Sequence, residues 1–291
     1  MTRIAVTGGS GRLGRAVVLD LTEHGYDVVN LDRDAPPEGA PGDFLTVDLG
    51  DYGQVVQALS RIEDVYDSVD GVVHLAAVPR PGLVPNTTTF VNNITATHHV
   101  FAAVQALGIT NVVWASSETV LGLPFDTPPP YVPVDEEYHP RPESSYSLAK
   151  TLEEEMAGQF CRWDPELKMI GLRFSNVMHP EDYTEFPSFD ADPMLRKFNL
   201  WGYIDARDGA QACRLALELD ATGQDVFVIA NEDTVMSTPS ADLMAQVFPD
   251  VEVRGKLSGT QTLLSIDKAR RVLGYRPAHS WRDEGLPDGG A

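Results

Sequence analysis

A short apolar run, Ile4-Ala5-Val6, leads straight into Thr7-Gly8-Gly9-Ser10-Gly11-Arg12-Leu13-Gly14, after which Leu13, Ala16, Val17 and Leu21 recur at helical spacing up to Gly25. Strand, glycine turn and helix in that order predict the opening of an α/β fold with a parallel sheet. In such a unit one glycine permits the tight turn, a second lets backbone approach a pyrophosphate, and a third packs the helix on the sheet. The phosphates rest on the helix N-terminus. Gly8, Gly11 and Gly14 are one residue wider between the first two glycines than the common G-x-G-x-x-G pattern.

The next apolar run ends in Asp32, at the distance where a carboxylate meets the hydroxyls of an adenosine ribose, which predicts NAD. Arg33 follows it and Arg12 lies within the glycine turn. Either cation could meet a 2′-phosphate, so NADP stays open. Strand and helix signals then alternate: strands over 71–75, 111–115 and 167–174, helices over 51–62 and 89–107. Proline-rich stretches over 34–43 and 123–143 predict loops, the second bordering the site described next.

Tyr146 and Lys150 stand four apart on a predicted helix, so the ammonium can lie beside the phenol and favour its ionised form. A phenol so assisted can act as a base near neutrality. Chance also places Tyr and Lys four apart on many helices; the glycine turn upstream is what gives the pair chemical meaning.

Taken in order, the turn from Thr7 to Gly14, Asp32, Asp48-Leu49, His74-Leu75-Ala76-Ala77, Asn93, Ser116-Ser117-Glu118-Thr119-Val120-Leu121-Gly122, Tyr146 and Lys150 resemble the extended short-chain dehydrogenases/reductases, the group of NAD-dependent sugar epimerases and dehydratases. The resemblance spans nearly the whole chain. It implies a Rossmann-type doubly wound sheet over residues 1–178 and a smaller substrate lobe over 179–291, into which core elements return. It also implies a catalytic set of Ser117, Tyr146 and Lys150, the last also anchoring the cofactor ribose. By the same resemblance Asp48 and Leu49 flank the adenine, Ala76 and Ala77 line the path to the nicotinamide ribose, and Asn93 supports the cofactor. Asn176 falls where the family places a substrate contact.

Only twenty residues separate His179-Pro180 from Trp201-Gly202, a short span for a nucleotide-sugar pocket. That shortening resembles uronate and aldose dehydrogenases, and Arg196, five residues before Trp201, matches a substrate position of the former. Glu118 stands where those enzymes carry Asn and would repel a uronate, so an uncharged aldose is the better expectation. The expected activity is hydride transfer between a sugar hydroxyl carbon and nicotinamide. A nucleotide-sugar epimerase or dehydratase with retained NAD, and a non-catalytic dinucleotide sensor, are the alternatives.

At 291 residues and 43% hydrophobic, the chain can bury a large core. With 43 acidic against 22 basic residues and a net charge of -21, nucleic acid and anionic membranes are unpromising partners. No apolar run reaches membrane-spanning length. Two cysteines, Cys161 and Cys213, make no disulfide framework, and the first strand begins too early to leave room for a signal peptide, so a cytoplasmic location is expected. The acidity fits either a salt-adapted surface or an ordinary acidic enzyme. No metal site is expected, a possible homodimer contact is assigned to the 89–107 helix, and residues 284–291 read as a loose tail.

Overall fold

The computed structural model describes residues 2–60, 66 and 68–284. Seven parallel strands form the central sheet: β1 (Arg3–Thr7), β2 (Asp27–Asp32), β3 (Asp43–Thr46), β4 (Gly71–His74), β5 (Asn111–Ser117), β7 (Lys168–Phe174) and β10 (Gly223–Ile229), in the spatial order β10-β7-β5-β4-β1-β2-β3. Successive side chains of a strand point to opposite faces. Ile4 and Val6 accordingly pack into one apolar cluster, with Val113, Ile170 and Leu172, while Ala5 packs into the other, with Val112, Trp114 and Met169.

Helices cover both faces, as near-continuous apolar strands require. On the first lie α1 (Arg12–Glu23) and α6 (Ala206–Glu218), through Val17, Leu21, Ala212 and Cys213. On the second lie α2 (Tyr52–Ser60), α3 (Asn86–Leu107) and α4 (Ser145–Trp163), through Val55, Val100, Phe101, Ala157 and Phe160. The chain runs outward from β1 to β3 and then returns to β4 on the other side of β1. At such a switch point the strand ends diverge and leave a crevice at their carboxyl edge.

Small elements decorate this edge. β6 (Tyr131–Val132) pairs with β11 (Glu252–Val253), and β8 (Val177–Met178) with β9 (Ile204–Asp205). α5 (Phe186–Phe189), flanked by 3-10 turns over Pro180–Glu185, Pro193–Leu195 and Lys197–Asn199, is followed by α7 (Ser240–Val247) and α8 (Asp267–Val272). These turns sit on a cluster of fully buried aromatics, with Tyr183, Tyr203 and Trp281 around Phe186.

Several boundaries depart from the sequence reading. The loop expected over 34–43 gives way to β3 at Asp43, and the one over 123–143 contains β6. α6 starts at Ala206 because the Asp205 side chain accepts from Arg207 N–H there. α8 ends at Val272, and Gly274 beyond it has φ +73°. The expected helix over 51–62 is seen as Tyr52–Ser60; its last two positions, like the tail from 285, lie outside the described residues.

Candidate active site

One cleft of about 1290 Å³ runs along the carboxyl edge of the sheet. Gly8, Gly11, Arg12, Leu13 and Gly14 line it from the first turn, Asp32 and Arg33 from the end of β2, Asp48 and Leu49 from the loop after β3, and Ala76 and Ala77 from the loop after β4. Ser117, Glu118, Tyr146, Lys150 and Asn176 line the same cleft. All but two of the expected site residues therefore share one cavity wall.

The glycine turn is dictated by close approach. Gly8 has φ +72°, and a Cβ there would stand 2.7 Å from the backbone nitrogen of Ala76. A Cβ on Gly14 would stand 2.1 Å from the Gly8 carbonyl oxygen, so any side chain would push α1 away from the turn. Gly11 starts α1 without a side-chain cap, leaving the first-turn N–H groups of the helix facing the cleft. An uncapped helix end with its positive dipole fits the diphosphate of a dinucleotide. In a chain of charge -21 this local field, rather than the overall one, must attract an anion.

Asp32 is fixed by three backbone donors: Ser10 N–H at 3.0 Å on one oxygen, Arg33 and Asp34 N–H at 2.7 and 3.3 Å on the other. Arg12 is ion-paired with Asp182 on the far side of the cleft. Asn93 does not line the cavity. Its amide donates to the Val78 carbonyl at 3.0 Å and accepts from the Val78 N–H at 2.8 Å, clamping the loop that carries Ala76 and Ala77.

Tyr146 lies in the first turn of α4, whose N-terminus is set by a capping box between Ser144 and Ser147. Ser117 closes β5; its hydroxyl accepts from Thr119 N–H at 3.2 Å and lies near enough to Tyr146 to pull on its phenol. Lys150 donates to the Ala115 carbonyl and to Glu153 Oε2, both at 2.8 Å. Burial is the strongest influence on the Tyr146 phenol and holds it above its ordinary 10, with Lys150 and Ser117 pulling down and Glu153 and Glu118 pushing up. The lowering expected from Lys150 is present, but burial outweighs it. Burial likewise opposes the charge of Lys150, yet Glu153, Tyr146 and Glu154 together more than restore it.

At the other end of the cleft, Glu118 is buried and accepts from Ser175 Oγ at 2.6 Å and Asn199 Nδ2 at 3.1 Å. Burial pushes its carboxyl up to about 7 despite these donors. Arg196 is placed differently from the sequence expectation. It lies behind the cavity wall rather than in it, its guanidinium between the rings of Phe189 and Phe198 at 5.2 and 5.0 Å, donating to the Gly202 carbonyl at 3.1 Å. A cation this buried is accommodated by aromatic faces and carbonyl oxygen. With the Asn176 amide turned so that its oxygen faces Arg196, two contacts of 3.3 Å join them and the amide N–H groups face away from the arginine. Arg196 thus orients Asn176, which does line the cleft.

Sequence reasoning missed Ser175, Asn199 and Glu153, and the buried pair in which Arg173 donates to Glu154 at 2.8 and 2.9 Å. Arg173, a cation near the inner end of a strand buried throughout, was the available signal for a buried acid opposite it. Among the described residues no group of three or more His, Cys, Asp or Glu is placed to hold a metal ion, and no helix is long and apolar enough to cross a membrane.

Known proteins resemble the chain in sequence and in fold. The NAD-dependent glucose-6-phosphate dehydrogenase of Haloferax volcanii is 25% identical over 94% of this chain and 92% of its own length. UDP-glucose 4-epimerase 2 of Arabidopsis thaliana is 30% identical over 69% of this chain, a match that spans only 58% of that enzyme. A crystal structure of a UDP-galactose 4-epimerase superposes with a TM-score of 0.69 at 26% identity, covering 97% of this chain and 96% of the other. Residues 4–230 match the NAD dependent epimerase/dehydratase family, and the chain belongs to that family.

Proposed function

We propose that the protein oxidises a hydroxyl of a small sugar with NAD, and that Tyr146 takes the hydroxyl proton. The observation that carries this reading is the convergence of the glycine turn with Ser117, Tyr146 and Lys150 on one cleft. Gly8, Gly11, Arg12, Leu13 and Gly14 would hold the diphosphate, Asp32 and Arg33 the adenosine ribose, Asp48 and Leu49 the adenine. Ala76 and Ala77, braced by Asn93, would flank the nicotinamide ribose, with Tyr146 and Lys150 on its hydroxyls. Arg12 is engaged by Asp182 and Asp32 is held in the cleft, which supports NAD over NADP.

When bound, NAD supplies the hydride-accepting carbon. Ser117 Oγ hydrogen-bonds the substrate oxygen, and the Tyr146 oxygen receives its proton as the C–H bond breaks. The Lys150 ammonium favours the phenolate against the burial that holds the phenol up, and the same burial keeps water from competing for the proton.

Three features support a small substrate. The span from 180 to 199 is folded into short turns packed on buried aromatics, which leaves little chain to enclose a nucleotide. Asn176, oriented by Arg196, can donate to a sugar hydroxyl, and Glu118, with its carboxyl near 7, can accept from one or donate to one. The same carboxylate disfavours a uronate. Residues 179–284 are accordingly taken as the substrate-facing part, with α6 and β10 returning to the core.

A screen of aldoses, uronates and nucleotide sugars by NADH fluorescence tests the reading. Accumulation of NADH with an unmodified aldose is expected; reduction only with nucleotide sugars would overturn the substrate class. The 30% identity to a UDP-glucose 4-epimerase keeps a second reading, which the same screen separates: an epimerase interconverts its substrate with retained NAD and no net NADH. Exposed apolar side chains on the packed helices α3 and α4, Val91, Leu148, Leu152 and Trp163, support a homodimer through this face. A monomer in sedimentation equilibrium at micromolar concentration would exclude it.

A further inference from the structure

Two adjacent acids on α4 are buried, and their surroundings differ. Glu154 is satisfied on both oxygens, by Arg173 Nε and Nη2 and by Ser116 Oγ at 2.5 Å. Glu153 is fully buried, its Oε2 accepts from Lys150 Nζ at 2.8 Å, and its Oε1 has no hydrogen-bond partner. A buried, half-satisfied carboxylate is costly to a fold, and an apolar side chain of similar volume would pack there without that cost. Its one strong contact is the ammonium that faces Tyr146.

We infer that Glu153 is a positioning residue: it anchors the Lys150 ammonium beside the Ala115 carbonyl, offsets part of its field at the Tyr146 oxygen, and so sets the pH at which Tyr146 can take a proton. This rests on the role proposed for Tyr146 above. The ionisable groups around the pair are Lys150 and Glu154 on α4, Glu118 after β5, His74 at the end of β4, and Arg173 on β7, which is held by Glu154. From α3 the Thr97 hydroxyl faces Glu153 and also contacts His74 Nε2 at 3.1 Å, while His74 Nδ1 meets Thr7 Oγ1 at 2.7 Å. Burial keeps His74 neutral, its ring pushed down to about 3, so within this set the charge balance at Tyr146 falls to Lys150, Glu153 and Glu118.

Glu153→Gln keeps the shape and one acceptor for Lys150 while removing the negative charge. The Tyr146 phenol should then ionise at lower pH, by on the order of one unit. The direct reading is an NMR titration of ¹³C-tyrosine in the cofactor-free protein, the Tyr146 signal assigned by its loss in Tyr146→Phe. The acid limb of kcat/KM should move the same way. An unmoved Tyr146 titration with a folded Glu153→Gln protein would overturn the inference. If the titration moves but no sugar is oxidised, Glu153 keeps its role and the proposed reaction falls. Should Glu153→Gln not fold, Glu153→Asp draws the carboxylate back by one methylene and should shift the titration in the same direction by less; no shift there overturns the inference equally.

Discussion

The two ends of the cleft are built from different materials. At the end assigned to the cofactor, backbone does most of the work: Gly8 and Gly14 let two chain segments meet at distances no side chain tolerates, and the uncapped start of α1 offers N–H groups. At the substrate end the surface is made by side chains in a relay, with Ser175 and Asn199 holding Glu118, and Arg196 behind Asn176. A backbone cradle fixes one ligand geometry and tolerates almost no substitution. A side-chain relay can be re-aimed by changing one member, which suits the end that must distinguish one sugar from another.

The largest effect should come at the junction of the two ends. Tyr146→Phe should lower turnover by about a hundredfold to ten-thousandfold and leave NAD affinity near wild type; near-normal turnover by NADH fluorescence would sink the assigned base. Gly14→Ala should break the cofactor end. Its Cβ would stand 2.1 Å from the Gly8 carbonyl oxygen, so we expect a loss of about 1–3 kcal/mol in urea unfolding and weaker NAD binding by calorimetry. Wild-type NAD affinity in that variant would contradict the backbone cradle.

Arg196→Met should act on the substrate end alone, raising KM for the sugar by roughly tenfold, about 1.4 kcal/mol, with NAD affinity unchanged. A matched loss of NAD affinity would erase the distinction between the ends. A last effect is pH-dependent. Burial raises the Glu118 carboxyl from 4.5 to about 7, so the folded state binds the proton more tightly than the unfolded chain. Its stabilising effect is full below 4.5 and is lost as pH rises to about 7. Glu118→Gln should flatten the stability profile across that window; an identical slope in both proteins would show that Glu118 does not carry it.

The same contrast explains what the sequence made legible. The glycine turn, the apolar strands and the Tyr146–Lys150 spacing are local patterns, and the sheet, its cleft and most cavity-lining residues follow from them. The relay is not local: Glu118 meets Ser175 across 57 residues and Asn199 across 81. A single Ser or Asn carries no periodic signal, so only the fold reveals the pairing. Strand β10 escaped for a related reason, since its start, Gly223-Gln224-Asp225, is polar and lies at the sheet edge, where one side needs no partner. On α4 the acids at 153 and 154 occupy the same buried face as Ala149, Ala157 and Phe160, a misfit between residue type and position that the sequence reading passed over.

The ion pair between Arg12 and Asp182 ties the glycine turn to the opposite wall at the mouth of the cleft, and both partners are substantially exposed. An exposed pair contributes at most about 1 kcal/mol, and the reach of its charges shrinks from about 10 Å at 0.1 M salt to about 3 Å at 1 M. That tie across the cleft is therefore firmest in dilute buffer and weakest in brine, in a protein whose acidic surface repels itself least where salt is plentiful.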